Sequence, residues 1–212
     1  SDLYVLGDAA IKANGFFPDY HWVANKNLKA YQFNPKESLR LLNSMGYNQT
    51  HRLGLTFKTS SNPFSIRKAT IIQNQLKQVG IDVAIQSYDW GTFYSDIKQG
   101  KFQLYSLEWV GIKSPDIYNY VFHSQSMPPK GANRGRLNSP HIDKLIDQAE
   151  QAIEISDKIS FYNQLQLDLH QLLPYVSLWY MSNISFYRDN ISGYQVSNDG
   201  AYDGLIDTYK NL

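Results

Sequence analysis

Cysteine is absent from the 212-residue chain, which excludes disulfides and thiolate metal sites and leaves both redox compartments open. An excess of charge of either sign is missing too. With 20 basic and 19 acidic residues the net charge is +1, so nothing marks a nucleic acid or other polyanion as partner. No apolar run approaches the roughly 18 residues that a helix needs to cross a bilayer. Ser1-Asp2-Leu3 opens the chain without a signal-peptide pattern, an absence that carries no information about export. The five histidines, His21, His51, His123, His141 and His170, show no ligand spacing and read as surface or internally satisfied side chains. No nucleophile elbow, phosphate loop, dinucleotide fingerprint or H-E-x-x-H is present, and carboxylates are scattered without a motif that pairs them. The reading is therefore of a non-enzyme without cofactor or resident metal.

What is abundant is aromatic surface. Phe, Trp and Tyr make up 14% of the chain, with 16 tyrosines, and apolar residues make up 42%, enough for one large domain or two small ones. Tyrosine and tryptophan offer flat apolar faces with a polar tip, suited either to gripping ligands or to lining the rim of a core.

The chain is organised around Phe102–Phe122. Its first part, Phe102–Val110, has the length and aromatic content of a buried strand. After Gly111 and a polar corner at Lys113-Ser114, a helix is expected from Pro115, capped by Ser114. A strand that enters a helix N-terminus through a short corner collects free N–H groups and the positive end of the helix dipole, a common ligand position in α/β proteins. Trp109 stands at that corner, and Trp90 lies in a comparable position.

Residues 1–33 read as an aromatic, loop-rich lead-in that covers something. Asn34-Pro35-Lys36-Glu37 supplies an N-cap, a first-turn proline and a capping-box glutamate for a helix that buries Leu39, Leu42 and Met45 and stops at Gly46. Leu53–Thr59 alternates as a strand. Asn62 caps a helix with Ile66, Ala69, Ile72, Leu76 and Val79 on one face, ended by Gly80, and Ile81–Ile85 is the next strand. That succession is a βαβ unit with parallel strands and a right-handed crossover. Asp89 caps a short helix carrying Trp90, Phe93 and Ile97, closed by Gly100. Residues 123–139 form a long loop of the kind that is often functional. Ser139-Pro140 opens a helix burying Ile142, Leu145, Ile146, Ala149 and Ile153. Ser156 is expected to cap another using Ile159, Tyr162, Leu165, Leu169 and Leu172, broken at Leu173-Pro174. Tyr175–Arg188 reads as a long strand, and the tail from Asn190 as turn-rich.

Five segments carry a resemblance: Asn34–Tyr47, Ile72–Val83, Trp109 with Pro115-Asp116, Asn138–Ile146, and Leu173–Leu178. In that order and spacing, spanning roughly residues 30–190, the chain resembles the carboxy-terminal lobe of the bacterial extracellular solute-binding proteins of the peptide/nickel (family 5) class, which serve ABC importers. The resemblance implies an α/β fold, one lobe of a periplasmic-binding-protein type II-like architecture with a mixed sheet, a βαβ unit and flanking helices. It implies residues 1–190 as this lobe, incomplete at its start, and residues 191–212 as a tail returning to a missing amino-terminal lobe. It also implies capture of an extracytoplasmic solute, most readily an oligopeptide, by closure of two lobes, and delivery to a membrane permease. The location would be periplasmic, or lipid-anchored at the outer face of the cytoplasmic membrane.

Carried over by position, Trp90 and Trp109 match tryptophans that line side-chain pockets in oligopeptide binders; core packing is the other reading of both. The position at which many peptide-binding members place an aspartate for the peptide α-ammonium is Ile112 here. Lys113 and Ser114 form the corner itself, and Lys113 is either a solvated loop lysine or a contact to solute or partner lobe. Asp116 favours the helix dipole or stands in for the missing aspartate. Arg134 offers a planar donor fork for an anionic group on the solute or the opposite lobe, or else forms a surface salt bridge. Asp143 is read as tying the preceding loop to its helix. Two other classes stay open: a module that binds a protein partner through its aromatic surface, and a same-family binder of sugar or metal-chelate solutes.

Overall fold

The computed structural model describes residues 10–211, so Ser1-Asp2-Leu3 and the start of the lead-in lie outside the described residues. In chain order the elements are β1 (Ala10–Lys12), α1 (Pro35–Ser44), β2 (Leu53–Ser60), α2 (Pro63–Gln78), β3 (Ile81–Tyr88), α3 (Trp90–Gln99), β4 (Leu104–Tyr105), α4 (Ile117–Phe122), α5 (Pro140–Gln151), α6 (Ile155–Leu172), β5 (Trp179–Met181), β6 (Ile191–Ser192) and β7 (Tyr209–Lys210). They fall into two compact units. Of the described residues, one unit comprises 10–30, 109–123 and 139–211; the other comprises 31–108 and 124–138.

The second unit is built on the βαβ succession. Strands β2 and β3 pair in parallel over their whole length, Leu53↔Ile81 to Ser60↔Tyr88, and β4 joins the other edge of β2 in parallel, giving the order β3-β2-β4. Phe57 and Val83 alternate onto one sheet face and meet Ala69, with Ile72, Leu76, Ile81, Ile85 and Leu104 packed around them. Burying a side chain such as Phe57 or Val83 stabilises by roughly 1.5–3 kcal/mol. Caps set the helix starts: Asn62 Oδ1 accepts the Phe64 and Ser65 N–H groups, and Asp89 Oδ1 accepts that of Thr92. At the other end of α2 the chain turns at Gly80, whose φ of +89° is a left-handed conformation that a side chain would strain.

In the first unit α5 packs along α6. The inward positions Ile142, Leu145, Ile146 and Ala149 of α5 and Tyr162, Leu165 and Leu169 of α6 are buried. Polar side chains fasten the lead-in to α6: Asn25 Nδ2 donates to the Asn163 carbonyl (3.0 Å), and His170 Nε2 lies 2.9 Å from the Lys29 carbonyl. Buried Gln166 accepts the Asn25 N–H (3.1 Å) and donates to the carbonyls of Val23 (2.8 Å) and Tyr162 (2.9 Å). Strand β1 pairs antiparallel with β5, as β6 does with β7, so parallel and antiparallel pairings occupy separate sheets.

Several local expectations need correction. Phe102–Val110 is not a buried strand. Only Leu104 and Tyr105 find ladder partners, and Val110 is 83% exposed. Tyr175–Arg188 is a strand only at Trp179–Met181, because β1 pairs there and Phe186 beyond it is 94% exposed. The regular helix after the corner starts at Ile117 rather than Pro115. Ser114 Oγ accepts the Asp116 N–H (3.3 Å) and the Pro115 carbonyl that of Tyr118 (2.9 Å), which makes a tight turn before it. Ser156 lies inside α6, since the Glu154 carbonyl already takes the Asp157 and Lys158 N–H groups. Glu37 does not close a capping box; its carboxylate takes Arg40 instead, while Asn34 Oδ1 does accept the Glu37 N–H. Met45, Ile153 and Leu172 sit at helix ends and are exposed rather than buried.

Candidate functional site

The chain passes from one unit to the other between Glu108 and Trp109, so the sequence-derived candidates divide. Trp109, Ile112, Lys113 and Ser114 belong to the first unit, and Trp90 and Arg134 to the second.

Trp109 is half-buried at the rim of an aromatic cluster. Its ring lies 6.3 Å from Phe16 and 6.5 Å, edge-on, from Tyr120. Phe16 leads inward to Tyr118 (5.8 Å) and Phe122 (5.4 Å). Burial pushes the Tyr118 phenol well above its ordinary range, and its Oη finds no hydrogen-bond partner among the described residues. Trp109 thus packs on the cluster without being fully buried. The corner follows. Gly111 takes φ +71°, Ile112 is half-buried, and Lys113 Nζ reaches Asp199 Oδ2 at 2.8 Å. His21 Nε2 lies 3.3 Å from the Lys113 carbonyl. Hydrogen bonds from Lys113, Ser197 and the Ala201 N–H hold the Asp199 carboxyl below the usual carboxylate range, and Asp199 in turn raises the Lys113 ammonium. Asp116 is exposed at the α4 N-terminus without a side-chain capping bond. Asp143 Oδ1 lies 3.9 Å from His123 Nδ1 at the start of the long loop, and Asp147 Oδ1 lies 3.4 Å from His123 Nε2.

A cavity of about 430 Å³ also belongs to the first unit. Phe17, Tyr20 and Tyr180 give it apolar walls, and Asn14, Asn183 and Asn198 give it polar ones. Tyr180 Oη shares its proton between the carbonyls of Gly15 (2.9 Å) and Phe17 (2.7 Å), and burial pushes its phenol up to about 12.

In the second unit Trp90 opens α3 and is 58% exposed. One helical turn on, Tyr94 lies on the same face, as i,i+4 spacing requires. The two rings stack in parallel, 5.5 Å apart and 8° from coplanar. Arg134 is buried, with its guanidinium 5.3 Å from the Tyr94 centroid and Nη2 donating to Tyr94 Oη at 3.2 Å. The loop that carries Arg134 is fixed by its neighbour Asn133, which is buried and exchanges two hydrogen bonds with the Leu137 backbone. Trp90, Tyr94 and Arg134 thus form one layered group, an exposed indole backed by a tyrosine and a cation. Among the described residues no group of three His, Asp or Glu side chains is placed to hold a metal ion.

Sequence reasoning missed Tyr94, Asp199, His21 and Phe16. The Trp90-x-x-x-Tyr94 spacing was a usable signal for the first. Asp199 meets Lys113 only through the fold, and no local pattern marks it.

The description "Bacterial extracellular solute-binding proteins, family 5 Middle" matches residues 4–130. Among curated proteins, the chain is 27% identical over 203 residues to di/tripeptide-binding protein 2 of Pseudomonas aeruginosa, covering 94% of this chain and 38% of that protein. It is 23% identical over 202 residues to the dipeptide-binding protein of Escherichia coli, again covering 38% of it. Among solved structures it is similar to the ABC transporter-associated periplasmic binding protein DppA from Helicobacter pylori in complex with peptide STSA. The TM-score is 0.83 and the identity 25%, with 100% of this chain and 41% of that one covered. The chain therefore spans about two fifths of the length of these relatives.

Proposed function

Since the chain belongs to the bacterial extracellular solute-binding proteins of family 5, we propose that it is part of the substrate-binding component of an ABC importer and that its solute is a peptide, from di- and tripeptides upward. The observation that carries this reading is similarity to di/tripeptide-binding proteins over 94% of the chain, with a half-buried tryptophan, Trp109, at the corner before α4. The partners are a peptide solute, a membrane permease and an amino-terminal lobe of the same protein; the setting is the periplasm, or the outer face of the cytoplasmic membrane for a lipid-anchored form.

The residues are suited to that task. A part-exposed indole buries apolar area without demanding one side-chain identity, each such contact contributing roughly 1–3 kcal/mol. Trp109 and Trp90 are each proposed as such a wall, Trp90 with Tyr94 behind it. Ile112 places an apolar side chain in the corner, and Ser114 spends its hydroxyl on the turn. The Arg134 guanidinium, buried against Tyr94, is proposed to contribute charge close to Trp90. Residues 191–212 are proposed to continue toward the amino-terminal lobe. Affinity would come from closure: a solute that touches both lobes stabilises the closed state over the open one.

The test is native mass spectrometry of the full-length protein purified without denaturation, followed by calorimetry with a mixture of defined di- and tripeptides. Co-purified peptides and micromolar or tighter binding are expected. A co-purified sugar or metal chelate, or no solute together with a stably bound protein partner, would contradict the reading. The 212-residue chain by itself should bind the same peptides far more weakly; equal affinity would contradict closure.

A further inference from the structure

The corner after Trp109 is held from two sides by groups remote in sequence. Lys113 Nζ donates to Asp199 Oδ2 at 2.8 Å, and His21 Nε2 meets the Lys113 carbonyl at 3.3 Å. His21 itself rests on the Phe17 ring, 4.3 Å between centroids. Asp199 is not a loose surface acid. It accepts from the Ala201 N–H at 3.0 Å and from Ser197 Oγ as well as from Lys113, and its side chain is 21% exposed against 61% for Lys113. The loop that carries it is pinned in turn, because Asn183 Nδ2 donates to the carbonyls of Ser197 (3.0 Å) and Asn198 (3.2 Å).

We propose that Asp199 is a positioning residue for solute capture: by holding Lys113 it fixes the path of Gly111–Ser114, and through that path the setting of Trp109. The proposal rests on the functional reading above. Three lines of chemistry support it. Gly111, at φ +71° with no atom near its absent Cβ, gives the corner no restraint of its own. Val110 is 83% exposed, so its side chain adds little packing to the corner. An ion pair between exposed partners is ordinarily worth little, but a carboxylate already oriented by a backbone N–H and a hydroxyl loses less freedom when it takes the ammonium. A second consequence concerns specificity. With its ammonium directed at Asp199, Lys113 is drawn away from a solute carboxylate, so this part of the site is proposed to read a solute by shape.

The experiment uses the full-length protein and four variants, Asp199→Asn, Asp199→Glu, Lys113→Met and the double variant Asp199→Asn with Lys113→Met. Amide hydrogen exchange is measured across residues 110–116, with the β2 and β3 amides as the internal reference. Exchange in the corner is expected to rise at least about threefold in Asp199→Asn and Lys113→Met, to stay near wild type in Asp199→Glu, and to be unchanged in the reference strands. Tri-alanine is the probe for binding. Its Kd is expected to rise about fivefold in Asp199→Asn and in Lys113→Met, and no further when the two are combined, because both break one interaction. Unchanged corner exchange, or additive losses in the double variant, would overturn the proposal. If Asp199→Asn also loosens the reference strands, Lys113→Met decides: a corner-only rise supports the proposal and any other pattern overturns it. Failure of the wild-type protein to bind any peptide would sink the functional reading, while the exchange measurement would still decide whether Asp199 fixes the corner.

Discussion

Replacing Gln166 by leucine removes a buried side chain that fastens the lead-in to α6, and the cost can be worked from the structure. The carboxamide is 4% exposed and serves three backbone groups: the Asn25 N–H, the Val23 carbonyl and the Tyr162 carbonyl. The Tyr162 carbonyl keeps its place in the helix ladder, so little is lost there. The Asn25 N–H and the Val23 carbonyl lose their side-chain partner in surroundings where Val23 and Asn25 are both buried. Leaving a buried polar group unsatisfied costs roughly 1–3 kcal/mol, so two such groups give about 2–6 kcal/mol. Leucine matches glutamine in size and regains roughly 1 kcal/mol of apolar burial. The net expectation is a destabilisation of about 3 kcal/mol. Equilibrium urea unfolding of the chain and of the variant, followed by far-ultraviolet circular dichroism, reads this as a lower midpoint at an unchanged slope. Val23 and Asn25 would also lose amide protection before the rest of the first unit. A loss below about 0.5 kcal/mol would refute the reasoning, because it would mean that water or a small backbone shift satisfies the freed groups.

Three further outcomes are expected. Asn62→Ala removes the cap that accepts the Phe64 and Ser65 N–H groups and should destabilise by about 1 kcal/mol, read in the same unfolding assay, with Asn62→Ser restoring most of it. Phe57→Ala opens a cavity against Ala69 and Val83 and should cost about 3–5 kcal/mol, with faster exchange along β2 and β3. Burial raises the Tyr162 and Tyr180 phenols to about 12, and raises the Tyr118 phenol as well, from a normal value near 10. The folded chain thus keeps protons that the unfolded chain releases, so stability is intact below pH 10 and is lost as pH rises toward 12. Thermal unfolding scanned across that range should show a falling Tm, and a Tyr180→Phe variant should fall less steeply.

The parts of the fold legible in the sequence are those set by nearest neighbours. Asn34, Asn62, Asp89 and Ser139 cap helices because each precedes a proline or an apolar helical repeat by one step, and Gly46, Gly80 and Gly100 end helices because their left-handed φ needs no distant partner. Strand extent was not legible in the same way. Phe102–Val110 and Tyr175–Arg188 have strand composition, yet only the residues opposite Phe57-Lys58 and Ala10–Lys12 form ladders, and a ladder partner is a property of the fold. The site divides along the same line. The places of Trp90 at a helix start and of Trp109 before a corner were legible from neighbouring residues. The Lys113–Asp199 pair and the Gln166 fastening join residues far apart in sequence, and polar side chains in such roles look like ordinary surface residues until the chain is folded.

The most direct test of the account is calorimetric titration of the full-length protein and its Trp109→Ala variant with the peptides that bind the wild type, with folding checked by circular dichroism. The indole supplies part-exposed apolar surface at the corner, so its removal should weaken binding by roughly 1–3 kcal/mol, a rise in Kd of about fivefold to 150-fold. Unaltered peptide affinity in a correctly folded Trp109→Ala protein would contradict the claim that this corner meets the solute.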